Sequence, residues 1–458
     1  MTAGAEAPLS LRGTLRASPR LAARHLWSAA GQLALAEIAG GTTLGAALSD
    51  LAGRAVLLRA RDPLHAAIAL IELDGVARRI VICPPDLADD ALPGVIEAAG
   101  VEALVSDGTE THGLIHAPIA LPVRPLAAAP AAAHRTEWVM FTSGTSGPPK
   151  MVAHTLAGLT GAIKPAPAGA QPLVWGTFYD IRRYGGLQIL LRGLLGEGSM
   201  VMTAPGEPMA DFLVRLAGHG VTHLTGTPSH WRRVLMSREA AGLSPSYVRL
   251  SGEIADQAVL DALKTRFGGV PVGHAYASTE AGVGFEVNDG LAGFPASFIG
   301  RPGEVEIRVE DGSLRLRSMR AASGYLNPGA EALAADDGFV DTGDMVERRG
   351  DRYHFVGRRN GVINVGGLKV HPEEIEAVIN RHPAVRMSRV RARRNPITGA
   401  IVVAEVVLTD APADPAQVKA ELLDACRREL AAFKVPAMLG FIPALALTAG
   451  GKLERAVA

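Results

Sequence analysis

The sequence predicts an α/β protein. A large N-terminal domain of mostly parallel sheets covered by helices carries a small β-rich layer, and a small α+β C-terminal domain follows. Three observations predict it. Short apolar runs alternate with helical stretches from about residue 54. That pattern gives way after Gly303 to strict polar–apolar alternation. A new strand-and-helix series then begins after Gly367. The length, 458 residues, exceeds what one ordinary core organises.

The elements follow in order. Arg12, Arg16, Arg20 and Arg24 recur every four residues, which places them on one helical face. A solvated helix face is the expectation there, with a targeting peptide as the alternative. Ala55–Ala60, Arg79–Cys83 and Ala103–Asp107 are apolar strands, and His65–Leu73 is a helix that is apolar nearly all round. Continuous apolar strands separated by helices indicate a parallel sheet covered on both faces. The Pro/Ala-rich stretch Ala117–His134 reads as a linker. Glu137–Phe141 is a strand leading into "TSGTSGPPK" (Thr142–Lys150), a loop expected to run from a strand into a helix. Further alternation follows: strand Gly198–Ala204, helix Met209–His219, strand Val221–Pro228 and helix Gln257–Phe267. "GEVEIRVEDGSLRLRS" alternates around Asp311-Gly312, a hairpin signature. The C-terminal unit has a helix opened by Pro372 with Glu373 and Glu374 in its first turn, strands Val385–Ala392 and Ile401–Leu408, and a helix Pro415–Leu430. The domains are drawn as 1–357 and 358–458.

Composition excludes several function classes. Lys+Arg and Asp+Glu balance at 46 each, so nothing global draws the chain to nucleic acid or an anionic membrane. No apolar run is long enough to span a bilayer. The two cysteines, Cys83 and Cys426, form no C-x-x-C pair and suit a reducing cytoplasm.

The chemistry sits in loops. A Gly/Ser/Thr loop turns backbone N–H groups and hydroxyls toward an anion, and Lys150 adds a charge. The Walker pattern fails, because Lys150 follows Pro149 and precedes Met151. "YASTEAG" (Tyr276–Gly282) supplies an aromatic ring, a hydroxyl and a carboxylate for a base, a phosphate and a metal ion. "DTGD" (Asp341–Asp344) puts carboxylates around a turn, suited to the vicinal hydroxyls of a ribose. "GRRNGVINVGG" (Gly357–Gly367) and "TAGGKLER" (Thr448–Arg455) complete the set. Each segment alone also has an ordinary reading: turn formers, a solvated helix face, a tail lysine.

Together and in this order, the segments resemble the adenylate-forming superfamily of acyl- and aryl-CoA synthetases, nonribosomal adenylation domains and luciferases. The resemblance runs from about residue 45 to the end. It departs from the usual motifs at Ser146-Gly147-Pro148-Pro149-Lys150-Met151 and at Tyr276-Ala277-Ser278-Thr279-Glu280, and the opening region is shorter than the family norm. It implies ATP-dependent conversion of a carboxylic acid to an acyl-adenylate with release of pyrophosphate. Transfer to the thiol of CoA follows.

The resemblance also implies roles. Thr142, Ser143, Gly144, Thr145, Ser146, Gly147 and Lys150 cradle the β,γ-phosphates. Thr279 faces the α-phosphate, and Glu280, with Thr145, holds Mg²⁺. Tyr276 lies against the adenine, with Gly252 and Glu253 as a further wall. Asp344 and Arg358 hold the ribose, and Lys452 bridges the attacking carboxylate and the α-phosphate. The C-terminal domain becomes a mobile lid hinged at Arg358–Gly361 around Asn360, and Gly366-Gly367 line a pantetheine tunnel after rotation. The acid pocket falls on Tyr179, Asp180, Arg183, Tyr184 and Ala275, in a partly aromatic surround with Trp175 and Phe178. Asp180 is placed for a substrate ammonium, while Arg182 and Arg183 suit a second carboxylate, and an internal Asp–Arg pair is the structural alternative. "FKVPAM" (Phe433–Met438) resembles the CoA-ligase version, and no carrier domain is expected in the six residues after Lys452. A separate carrier protein remains the alternative acceptor. A small acid is the expected substrate, a homodimer is admitted, and no nucleic-acid or membrane partner is expected.

Overall fold

The computed structural model describes residues 10–126, 128, 132–142, 150–164, 171–395, 399–409, 414–448 and 450–454. Two sheets build the large domain. In the first, the parallel strands Ala55–Arg59, Arg79–Ile82, Ala103–Ser106, Ile115–Pro118 and Glu137–Phe141 are joined at one edge by Met151–Thr155 and Gly324–Tyr325. In the second, Val272–Ser278, Tyr247–Ser251, His223–Gly226, Leu173–Thr177, Gly198–Met202 and His25–Trp27 run parallel, with antiparallel edges Gly282–Val287 and Gln32–Ala34. Helix Pro63–Leu73 fills the core between sheets and is buried along nearly its whole length, as its all-round apolar sequence requires. Asp62 caps it by accepting from Leu64 N at 2.6 Å.

The strand Glu137–Phe141 does not lead through the serine-threonine loop into a helix. It pairs antiparallel with Met151–Thr155, Phe141 opposite Met151, so the loop caps a hairpin. "MVAHT" is short and ends in a β-branched residue, and every residue but Thr155 is buried between layers; burial sets it as a strand. Part of the expected linker is also ordered by pairing. Arg124–Pro125 bonds to Gly41–Thr42, and Ile115–Pro118 extends the first sheet.

A five-stranded antiparallel layer follows. Its hairpin Val305–Glu310/Ser313–Ser318 turns at Asp311 (φ 50°) and Gly312 (φ 74°), the two successive positive φ values of a type I′ turn. The C-terminal unit has its own core of Ile363, Val370, Ile375, Val390, Val406 and Leu422 with their neighbours. Helices Pro372–Ile379 and Pro415–Glu429 pack there on the three-stranded sheet Val385–Asn395, Gly399–Leu408 and Met438–Phe441.

The basic N-terminus departs from expectation. Helix Leu11–Arg16 buries Arg12, whose Nη1 donates to Ile38 O and Gly41 O, both at 2.6 Å. Arg24 is equally buried and donates to Gly193 O, Leu194 O and Gly198 O. These arginines cap the carbonyl ends of helices Leu35–Gly40 and Tyr184–Leu195 rather than facing water.

Candidate active site

One cleft of about 1740 Å³ opens between the large domain and the C-terminal unit. Thr142, Lys150, Gly252, Glu253, Ala275, Tyr276, Thr279, Glu280, Asp344, Arg358 and Lys452 all line it. Residues more than 300 positions apart are thus brought to one wall-to-wall site. Ser143–Gly147, Thr145 among them, lie outside the described residues.

The base of the serine-threonine loop is closed by Thr142 N donating to Lys150 O at 3.0 Å. Lys150 is exposed, and its Nζ stands 5.3 Å from the centre of the Tyr325 ring. The Thr279–Glu280 turn ends the strand Val272–Ser278. Ala281 N donates to Ser278 Oγ at 2.9 Å, and Gly282 (φ +78°) reverses the chain where a Cβ would stand 2.3 Å from Arg320 O. His154 Nε2 lies 2.8 Å from Thr279 O, which makes it the donor. Burial holds that imidazole down to about 4, so it stays neutral.

Asp344 and Arg358 sit directly opposite each other on adjacent strands, so pairing register alone joins them. Arg358 Nε donates to Asp344 Oδ1 at 3.0 Å and Tyr276 OH donates to Oδ2 at 2.6 Å. Burial and then the Asp344 charge push the phenol well up, so Tyr276 remains a donor. Its ring stacks on Phe285 and Phe355 at 5.5 and 5.2 Å. Tyr276 is therefore first of all the support of Asp344. The other carboxylate of that turn, Asp341, accepts from Ser313 Oγ (2.7 Å), Gly343 N (3.0 Å) and Arg359 Nη2 (2.9 Å) and is a turn former. Arg359–Gly361 forms a single 3₁₀ turn between the units.

Lys452 enters from the C-terminal turn, its Cε 3.4 Å from the place a Cβ on Gly252 would take. Gly252 has φ +86°, a conformation that favours glycine. The lysine is open to the cleft yet crowded by its walls. That desolvation lowers its pKa, with Glu253 and Asp344 opposing and Arg358 and Arg183 adding to the fall. Glu253 is not a bare wall. Its carboxylate accepts from Ser229 N (2.9 Å), Ser229 Oγ (3.0 Å) and Leu453 N (2.7 Å). Sequence reasoning missed Thr227, Ser229 and His230, because it carried a strand through Pro228, whereas the strand ends at Gly226 and Thr227 caps helix Pro228–Met236.

The acid-pocket residues divide. Asp180 does not face the cleft. Arg182 Nε and Nη2 grip its two oxygens at 2.8 and 2.6 Å, while Arg182 Nη1 donates to Ala60 O and Arg61 O. This buried pair uses both carboxylate oxygens, so the ammonium-binding expectation for Asp180 gives way to the internal ion pair. Tyr184 is likewise buried among core side chains, beside His154. Trp175 and Phe178 are buried too, Phe178 against His230 and Trp231. Tyr179 is half-buried, and its OH donates to Ser251 O at 2.9 Å next to Gly252. Arg183 pairs with Asp86, and its side chain lies beside Gly450. Gly366 and Gly367 form an exposed hairpin tip outside the cleft lining.

For a magnesium ion, the described residues hold no cluster of three or more His, Cys, Asp or Glu. Glu280 presents a carboxylate in the cleft next to Thr279, which fits an ion carried chiefly by phosphate oxygens and water.

The family model described as AMP-binding enzyme matches residues 47–326, and that of the AMP-binding enzyme C-terminal domain matches 374–452. The chain is 27% identical to the human mitochondrial acyl-coenzyme A synthetase ACSM2A over 354 residues, 69% of this chain and 60% of that protein. It thus spans less than two thirds of that relative's length. It is 28% identical to the 2-succinylbenzoate–CoA ligase of Salmonella typhimurium over 419 residues, 88% of this chain and 86% of that one. Among solved structures, the anthranilate CoA ligase AuaEII in complex with anthranoyl-AMP shares the fold, with a TM-score of 0.81 at 19% identity, covering 98% of this chain and 96% of the other.

Proposed function

The chain belongs to the AMP-binding enzyme family, and from that premise we propose that it is an AMP-forming carboxylate–CoA ligase. The reaction has two steps. A carboxylate oxygen attacks the α-phosphorus of ATP, the bond to the β-phosphate breaks, and an acyl-adenylate and pyrophosphate result. A thiol then displaces AMP from the acyl carbon. The first step brings two anions together, so positioned charge is the main requirement.

The single observation that carries this reading is the convergence of Lys452 on the cleft that holds Thr279, Glu280, Asp344 and Arg358. Lys452 neutralises the attacking carboxylate and the α-phosphate oxygen. Lys150 and the loop it closes take the departing pyrophosphate. Asp344, fixed from two sides, accepts from the ribose hydroxyls, with the base beside Tyr276. Glu280 would hold Mg²⁺, which would supply charge neutralisation. Gly366-Gly367 reach the thiol channel only when the lid turns about Arg359–Gly361.

The names of the relatives favour CoA as acceptor. A separate carrier protein is the second reading, favoured by the lid's exposed Leu368. Tyr179, Arg183 and Ala275 border the acid, which is small. A homodimer and a cytoplasmic location complete the proposal; the two buried free thiols suit a reducing compartment. ATP–pyrophosphate exchange across amino acids, aryl acids, short-chain acids and dicarboxylates tests the first step, and AMP with a thioester on adding CoA tests the second. ADP as product rejects the reading; exchange unaffected by CoA, with no thioester, moves it to the carrier protein.

A further inference from the structure

Lys452 stands between two residues that are each tied to the large domain. Thr227, fully buried, caps helix Pro228–Met236 by accepting from His230 N at 3.1 Å. Its hydroxyl also donates to Gly451 O at 2.8 Å, from one side of the lysine. On the other side, Leu453 N donates to Glu253 Oε1 at 2.7 Å. Glu253 is aimed there by Ser229, whose N donates to Oε2 and whose Oγ donates to the same Oε1. Gly451, at φ +71°, lies against the His230 ring, where a Cβ would stand 1.8 Å from Cε1. That ring is fixed in turn by Thr227 N donating to Nδ1 at 3.2 Å and by stacking on Phe178.

The rest of the turn is bonded to itself and to the lid. Gly451 N donates to Thr448 O, Thr448 N donates to Lys452 O, and Arg389 donates to Glu454 O. Without a tie to the large domain, the turn's place in the cleft would be set only by the swing of the whole lid. A lysine side chain has several rotatable bonds, and a small misplacement of its root costs much of its effect.

We propose that Thr227 and Glu253 are positioning residues that clamp the chain on both sides of Lys452 and hold its ammonium in the adenylating pose. The proposal rests on the adenylate-forming reading and gives these side chains a task beyond it. Both bonds exchange for water when the lid turns, so the clamp releases for the second step at small net cost.

Glu253→Ala, Thr227→Val and Leu453→Pro each remove one partner, and Leu453→Pro does so from the tail alone, leaving the large domain's sequence intact. Three readouts apply: amide hydrogen exchange of residues 448–454; pyrophosphate exchange with the acid most active in the panel above; and thioester formation from that acid's supplied adenylate. The expected result is faster amide exchange in the turn and a kcat for adenylation lower by roughly ten- to a hundred-fold. For Thr227→Val and Leu453→Pro the KM for ATP and the thioester step should stay within about twofold, and Thr227→Ser should restore activity. Unchanged amide exchange overturns the clamp, as does an equal loss in both steps. A raised KM with kcat kept also overturns it and makes Glu253 a nucleotide wall. A wild type whose turn is protected through Glu253 yet exchanges no pyrophosphate rejects the reaction and leaves the clamp standing.

Discussion

In the proposed reaction Lys452 acts only as an ammonium, and its crowding then sets a pH limit. Desolvation lowers its pKa below the ordinary 10.5. As pH rises through that lowered value, the charge and the adenylation rate are lost together. We expect pyrophosphate exchange to fall on an alkaline limb below pH 10.5, and thioester formation from supplied adenylate to lack it. Lys452→Ala should lower exchange by about a hundredfold or more while the second step persists. Asp344 gives a different signature. Asp344→Asn should raise the KM for ATP about tenfold, the loss of one charge-assisted hydrogen bond of about 1.4 kcal/mol, measured by initial rates. That Thr279, Glu280, Asp344 and Lys452 share one cleft was legible from the order of their short polar motifs, each of which alone also has an ordinary reading. Asp180 was not, since its partner Arg182 and the carbonyls of Ala60 and Arg61 meet it only through the fold. A sequence shows an Asp-x-Arg but not which way it faces.

At the scale of elements, pairing and burial overrode local reading. "MVAHT" has no strand signature of its own beside the Gly/Ser/Thr loop and was not expected as one; its burial between layers made it a strand. The hairpin at Asp311-Gly312 and the helix from Pro372 were legible because turn and first-turn chemistry are local. The N-terminal arginines were not, because what they cap lies on other elements. Arg24→Ala would strip donors from buried carbonyls of Gly193, Leu194 and Gly198. We expect a loss of about 3 kcal/mol and a thermal midpoint lower by about 5 °C, read by calorimetry. A second contact carries a pH signature. Asp107 would be raised by burial, but hydrogen bonds from His65 and from Asp62 N and Arg61 N hold it at about 2. His65, bonded to Asp107, is raised. The Asp107 contribution is present above the ordinary carboxylate range and is lost as pH falls through about 2. That of His65 is present below 6.5 and is lost as pH rises through its raised value. The pair therefore stabilises most between about pH 4 and 6.5, by about 2 kcal/mol, and Asp107→Asn should remove that excess in urea titrations across this window.

For the whole molecule, the C-terminal unit has a core of its own and meets the large domain across the cleft. The lysine turn, the Asp344–Arg358 pair and the 3₁₀ turn at Arg359–Gly361 lie where the two units meet. The order of motifs was legible in the sequence; the contacts of the lysine turn with Thr227 and Glu253 were not, since those residues lie far from Lys452 in the chain. The measurement that bears most directly on this account is ATP–pyrophosphate exchange by the wild-type protein and Lys452→Ala, run with and without acid. Acid-dependent exchange by the wild type that collapses in the variant, with AMP as the nucleotide product, is the expected result. Exchange independent of acid, or full exchange retained by Lys452→Ala, would contradict it.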